Sequence, residues 1–160
     1  TNSANHAAHE KWNQLAGVKT LYVPFKGTGD MVSAVLGSHV TAAMTYIPFA
    51  ITHKGKVRTL AVATEKRHPQ LPDVPTFKEL GFDWVDGAYR GIAVPKTTPE
   101  ALRKRISDVF DEINRDPDMR KQMLDGGFEV VDIGYDKVPA FIEERKKAYQ
   151  EVARRMGLLK

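Results

Sequence analysis

The chain of 160 residues contains no cysteine. That removes disulfides, thiolate metal sites and cysteine nucleophiles together, without fixing a compartment. It has no apolar run near the ~20 residues of a membrane span, and it opens on Thr1-Asn2-Ser3 rather than on a basic-then-apolar leader. No HExxH, P-loop or dinucleotide fingerprint occurs. Ser3, Ser33, Ser38 and Ser107 lack a glycine-flanked nucleophile elbow, so a catalytic triad is unsupported. The excess of Lys and Arg, 24 against 20 acidic residues for a net charge of +4, is interleaved along helical stretches and marks no nucleic-acid patch. It permits a long-range pull on anions.

What is present reads as one ordinary domain or two small ones. The first 63 residues alternate between helical and strand patterns. Residues 2–15 carry helix formers with Asn and Ser in front and Gly17 behind. Residues 19–25 alternate, with Leu21 and Val23 on one side and Tyr22 on the other. A helix opening at Gly27-Thr28-Gly29 ends at Gly37, and a strand over 40–45, a short helix over 48–54 and a strand over 57–63 follow. Such alternation predicts an α/β fold with a mostly parallel sheet, including strands near Leu21, Ala42 and Leu60. Further on, a three-proline connection over 64–75 leads to a short helix over 76–80, an extended segment over 85–94 and a short strand over 128–133. Leu102, Ile106, Val109, Phe110 and Ile113 form one apolar stripe on a helix, Asp116-Pro117 restarts a second, and a third covers about 137–156.

Sheets of this kind hold ligands at strand C-terminal ends. The Lys26-Gly27-Thr28-Gly29 turn offers free amides to an anion, or is a turn that needs glycine for its dihedrals. Ser3 and Asn5 either cap the first helix or hold an anion with the same donors. Thr45 and Tyr46 follow a strand and supply hydroxyls and an aromatic face, or pack in a core. His6, His9 and Glu10 share a helix face at ligand spacing, yet nothing around them completes a metal site, so the expectation is no metal and no cofactor.

Five segments occur in a telling order: His6-Ala7-Ala8-His9-Glu10, Val23-Pro24-Phe25-Lys26-Gly27, Thr45-Tyr46-Ile47-Pro48-Phe49, the strand from Arg58 to Val62, and Leu71-Pro72-Asp73-Val74-Pro75-Thr76. Together they resemble the second half of a tripartite tricarboxylate transporter substrate-binding protein, the Bug or TctC type of extracytoplasmic solute receptor. The resemblance implies a periplasmic-binding-protein-like (type II) fold and no enzyme activity. It makes 1–88 the second solute-binding lobe, and 89–160 a crossover and helical segment of a first lobe whose N-terminal part is absent. It implies periplasmic capture of a small organic carboxylate and delivery to membrane transporter subunits, with no nucleic-acid partner. Ligand-binding residues are expected among Ser3, Asn5, Lys26, Gly27, Thr28, Gly29, Thr45 and Tyr46. Phe25 replaces the family's tyrosine, and Thr45-Tyr46 replaces an Asp-Asn pair, so a plain or aromatic carboxylate fits better than an amino acid. A ligand-sensing or protein-interaction module of the same fold is the alternative. With its apolar stripe uncovered, the chain is expected to form a homo-oligomer.

Overall fold

A computed structural model describes residues 3–159. Six helices are present among them: α1 (Ala4–Ala16), α2 (Thr28–Leu36), α3 (Ile47–Thr52), α4 (Glu100–Arg115), α5 (Pro117–Asp125) and α6 (Val138–Arg155). They fall into two compact units. One holds the described residues up to Ala88 together with those from Val152 on, and the other is Tyr89–Glu151.

In the first unit the helix ends follow the local sequence. Ser3 caps α1, its hydroxyl oxygen accepting the His6 N–H at 3.3 Å, and Gly17 closes the helix at φ 64°, a left-handed conformation open to glycine at little cost. Helix α2 buries Met31 and Ala34, and α3, with Pro48 in its first turn, buries Phe49 and Ala50. The aliphatic core gathers Ala50, Val62 and Leu71, with Ile47, Ile51 and Val74 packed around them. An aromatic cluster adds Trp12, Phe77, Phe82 and Trp84. Phe77 is its hub, with ring centroids 4.6 Å from Trp84 and 5.4 Å from Trp12.

The expected sheet is not formed among the described residues. Segments 18–25, 42–46 and 58–61, and the 128–133 segment expected as a short strand, carry no helix or strand assignment, and among the described residues the only ladder contacts are isolated parallel bridges, Lys54 with Val57 and Val62 with Thr76. Val62 donates its N–H to the Pro75 carbonyl and accepts the Phe77 N–H, both at 3.0 Å, and the Asp86 N–H reaches the Ala63 carbonyl at the same distance. Alternation identifies residues suited to extended backbone, but a ladder also needs a neighbour ~4.8 Å away, which periodicity does not specify. Leu21 and Leu60 accordingly stand 87% and 64% exposed.

The helix expected over 76–80 is also corrected, to a single hydrogen-bonded turn. Thr76 and Glu79 form a reciprocal capping box: the Thr76 N–H donates to Glu79 Oε2 at 2.8 Å, and the Glu79 N–H donates to Thr76 Oγ1 at 3.1 Å. Gly81, at φ 88°, ends the turn before a second can form. Arg67 ties this turn to the proline-rich connection, its Nε donating to Glu79 at 2.9 Å and its Nη1 to the Pro72 carbonyl at 3.0 Å.

The Thr76 N–H, with Arg67 beside it, holds the Glu79 carboxyl below its ordinary value of 4.5. A carboxyl depressed in the folded state stabilises the fold above about pH 4.5 and loses that contribution as pH falls through the lower folded value. Glu79→Gln should therefore lower the thermal midpoint at neutral pH, with the gap to wild type closing below pH 4.5. Scanning fluorimetry at stepped pH reads this directly. A gap that persists unchanged into acid would assign the effect to shape rather than charge.

The second unit is built differently. Asp116 ends α4 and caps α5, accepting the Met119 N–H at 2.7 Å. Arginines lie over aromatic rings: Arg145 sits 5.1 Å from the Tyr89 ring and 5.3 Å from Tyr149, and Arg90 sits 5.2 Å from Phe128. Among residues 89–151 only Gly127 is buried. This unit has no buried apolar side chain, and the stripe on α4 lies open.

Candidate functional site at the helix N-termini of the first unit

All eight residues expected at the site stand at the N-terminal ends of α1, α2 and α3. Ser3 is the α1 cap and Asn5 lies in its first turn. Lys26 precedes the Gly27 cap of α2, whose first turn begins Thr28-Gly29. Thr45 precedes Tyr46, the cap of α3. The first amides of a helix have no intrahelical acceptor, and the helix dipole places partial positive charge among them, so these ends suit an anion.

The α2 end is the most open of the three. Gly27 caps the helix without a side-chain hydrogen bond, leaving the first-turn amides without a competing side-chain acceptor from the cap. Its φ of −166° is extended backbone open to any residue, so the turn does not require glycine for its dihedrals. A Cβ placed on Gly27 or Gly29 would meet nothing within 4 Å. Lys26 is exposed beside this end and supplies a full positive charge, while Asp30 puts a carboxylate in the same first turn. At α1, the Ser3 oxygen accepts the His6 N–H and so leaves its own O–H to donate. At α3, Thr45 Oγ1 is buried without a hydrogen-bond partner, and the Tyr46 side chain makes no cap bond.

Contacts joining α1 to the segment that leads into α2 run through other residues. The Tyr22 ring stacks on His6 at 4.1 Å and meets His9 edge-on at 5.0 Å. Thr20 donates to Asn13 Oδ1 at 2.7 Å, and its oxygen lies 3.2 Å from His9 Nε2. Asn13 Nδ2 is also 3.2 Å from that nitrogen. One ring nitrogen cannot donate to Thr20 and accept from Asn13 at once, so the two contacts belong to alternative tautomers. Burial, opposed by Glu10, holds the His6 imidazole below its ordinary value of 6.5. Among the described residues no group of His, Cys, Asp or Glu is arranged to hold a metal ion. The histidine face anchors Tyr22 and Thr20. Sequence reading missed this pairing, although the alternation had already put Tyr22 on the side opposite Leu21 and Val23.

Residues 1–158 match the family model for the tripartite tricarboxylate transporter family receptor, TctC. The chain belongs to this receptor family. A protein of Cupriavidus necator, "UPF0065 protein in gbd 5'region", is 28% identical over 156 residues, covering 97% of this chain and 48% of that protein. MatC from Rhodopseudomonas palustris, solved with bound malate, is 27% identical with a TM-score of 0.80, over 94% of this chain and 53% of that one. The periplasmic binding protein BugD is 28% identical with a TM-score of 0.78, over 99% of this chain and 55% of that one. The chain thus spans about half the length of the relatives it matches. The likeness covers both units, so the chain shares the TctC-type fold even where the extended segments form no ladder here. Among the described residues no helix is long and apolar enough to cross a membrane.

Proposed function

We propose that this chain forms part of a periplasmic solute receptor without catalytic activity, capturing a small organic carboxylate for membrane transporter subunits. The observation that carries the reading is its likeness, within a receptor family, to MatC with bound malate over 94% of the chain. The open α2 end supports it. Lys26 would supply charge, the Gly27, Thr28 and Gly29 amides would hydrogen-bond the carboxylate, and Ser3, Asn5, Thr45 and Tyr46 would add neutral donors. Hydrogen bonds to a charged group contribute about 1.5–3 kcal/mol each only when shielded from water. Binding by this chain alone is therefore expected to be weak. Titration calorimetry with short mono-, di- and tricarboxylates tests the reading, and heat from neutral analogues but from no carboxylate would overturn it.

Asp30 gives a second, signed test. Its carboxylate occupies the first turn of α2 and opposes a bound anion there. Charge effects at helix ends are worth about 0.3–1 kcal/mol, so Asp30→Asn should tighten carboxylate binding roughly two- to five-fold. The gain should shrink with added salt. Unchanged affinity in both low and high salt would place the carboxylate elsewhere.

A further inference from the structure

We propose, on the reading that the α2 end holds a carboxylate, that Tyr22 is a positioning residue for it: stacked on His6, it fixes the approach to α2 against the N-terminus of α1. His6 is the third residue of α1, beside Asn5, and its N–H is capped by Ser3. Tyr22 stands four residues before Lys26 and five before Gly27, the cap of α2. With ring centroids 4.1 Å apart and planes 19° from parallel, the stack joins the two helix ends that would share the ligand.

Little else holds this approach. Among the described residues, 19–26 make no backbone hydrogen bond, and of 18–26 all but Tyr22 and Phe25 are exposed. The anchorage runs through side chains: Tyr22 on His6 and His9, and Thr20 on Asn13 at 2.7 Å. The two histidine side chains are only 13% and 15% exposed, so α1 presents them as a fixed seat. Pro24 carries that fixation onward, because its ring sets its own φ and holds Val23 to extended backbone. Helix α2 is itself seated by buried Met31 and Ala34, so the stack is not what holds the fold. It sets where Lys26 and Gly27 lie relative to Ser3 and Asn5.

An aromatic pair shifts a two-state equilibrium roughly two- to ten-fold, and affinity falls with the fraction of chains in the competent state. Tyr22→Leu should therefore weaken binding by up to about ten-fold in titration calorimetry with acetate, succinate and citrate. Tyr22→Phe keeps the ring and should bind within about two-fold of wild type. His6→Leu should lose as much as Tyr22→Leu, and the double variant no more than either, since one contact is removed once. The His6 ring-proton resonances report the stack without any ligand. They should move to unstacked values in Tyr22→Leu and stay in place in Tyr22→Phe. Thr20→Val, at an exposed position where the fold is not at risk, removes the companion bond to Asn13 and should weaken binding at least about two-fold.

Unchanged affinity in a Tyr22→Leu variant that has lost the stack would overturn the proposal. So would an equal loss in Tyr22→Phe, which would put the hydroxyl on the ligand, or additive losses from Tyr22→Leu and His6→Leu. A wild-type chain that shows the stack and binds none of the three acids would overturn the receptor reading, and the positioning role would fall with it although the stack itself stood.

Discussion

Gly29→Val should abolish carboxylate binding while leaving the fold intact. Two structural facts separate those outcomes. Gly29 does not adopt positive φ, and a Cβ there meets nothing within 4 Å, so valine fits without displacing a neighbour. Its cost to α2 is at most the few tenths of a kcal/mol by which a β-branched residue can disfavour a helix, partly returned by the lost freedom of glycine. A carboxylate seated on the α2 amides, by contrast, needs the space those methyl groups would occupy. Loss of binding with an unchanged circular dichroism spectrum and thermal midpoint would assign the turn to the ligand. Unchanged affinity in the folded variant would leave the turn a connector and move the site toward α1 or α3.

That experiment is cleaner than sequence alone allows. The sequence left open whether Gly27 and Gly29 serve the backbone or a ligand, because composition cannot report φ. The structure removes the backbone requirement and leaves the space. Ends of helices were legible for a related reason: Ser3, Gly17, Asp116 and Pro117 act through bonds within a few residues of themselves. Pairing of extended segments was not legible. Leu21 and Leu60 mark extended backbone by alternation, but which segment neighbours which is a property of the folded chain. The Thr76 and Glu79 capping box was written in the spacing Thr-x-x-Glu, yet it closes one turn and not a helix, since Gly81 follows two residues later. The Tyr22 contact with His6 and His9 joins residues more than ten positions apart, beyond the reach of any local pattern.

The largest effect on stability should come from Phe77→Ala. Its side chain is buried, and its ring touches Trp12, Phe82 and Trp84 at centroid distances of 5.4, 6.4 and 4.6 Å. Removing such a ring forfeits its transfer free energy and leaves a cavity that neighbours fill only in part, together about 3–5 kcal/mol. That approaches the whole stability of a small domain. At roughly 4–8 °C per kcal/mol for a unit of this size, the midpoint should fall by more than ten degrees. The backbone bond from Phe77 N–H to the Val62 carbonyl is independent of the ring, so the loss measures packing and not the bridge. Both tryptophans of the chain contact this ring, and their emission should shift to longer wavelength in the variant before any unfolding. Leu60→Ala is the matched control: with that side chain 64% exposed, the change should cost less than about 0.5 kcal/mol. Equal costs for the two substitutions would mean that the aromatic cluster is not the core of the first unit, and that its stability rests on the aliphatic group around Val62 and Leu71 instead.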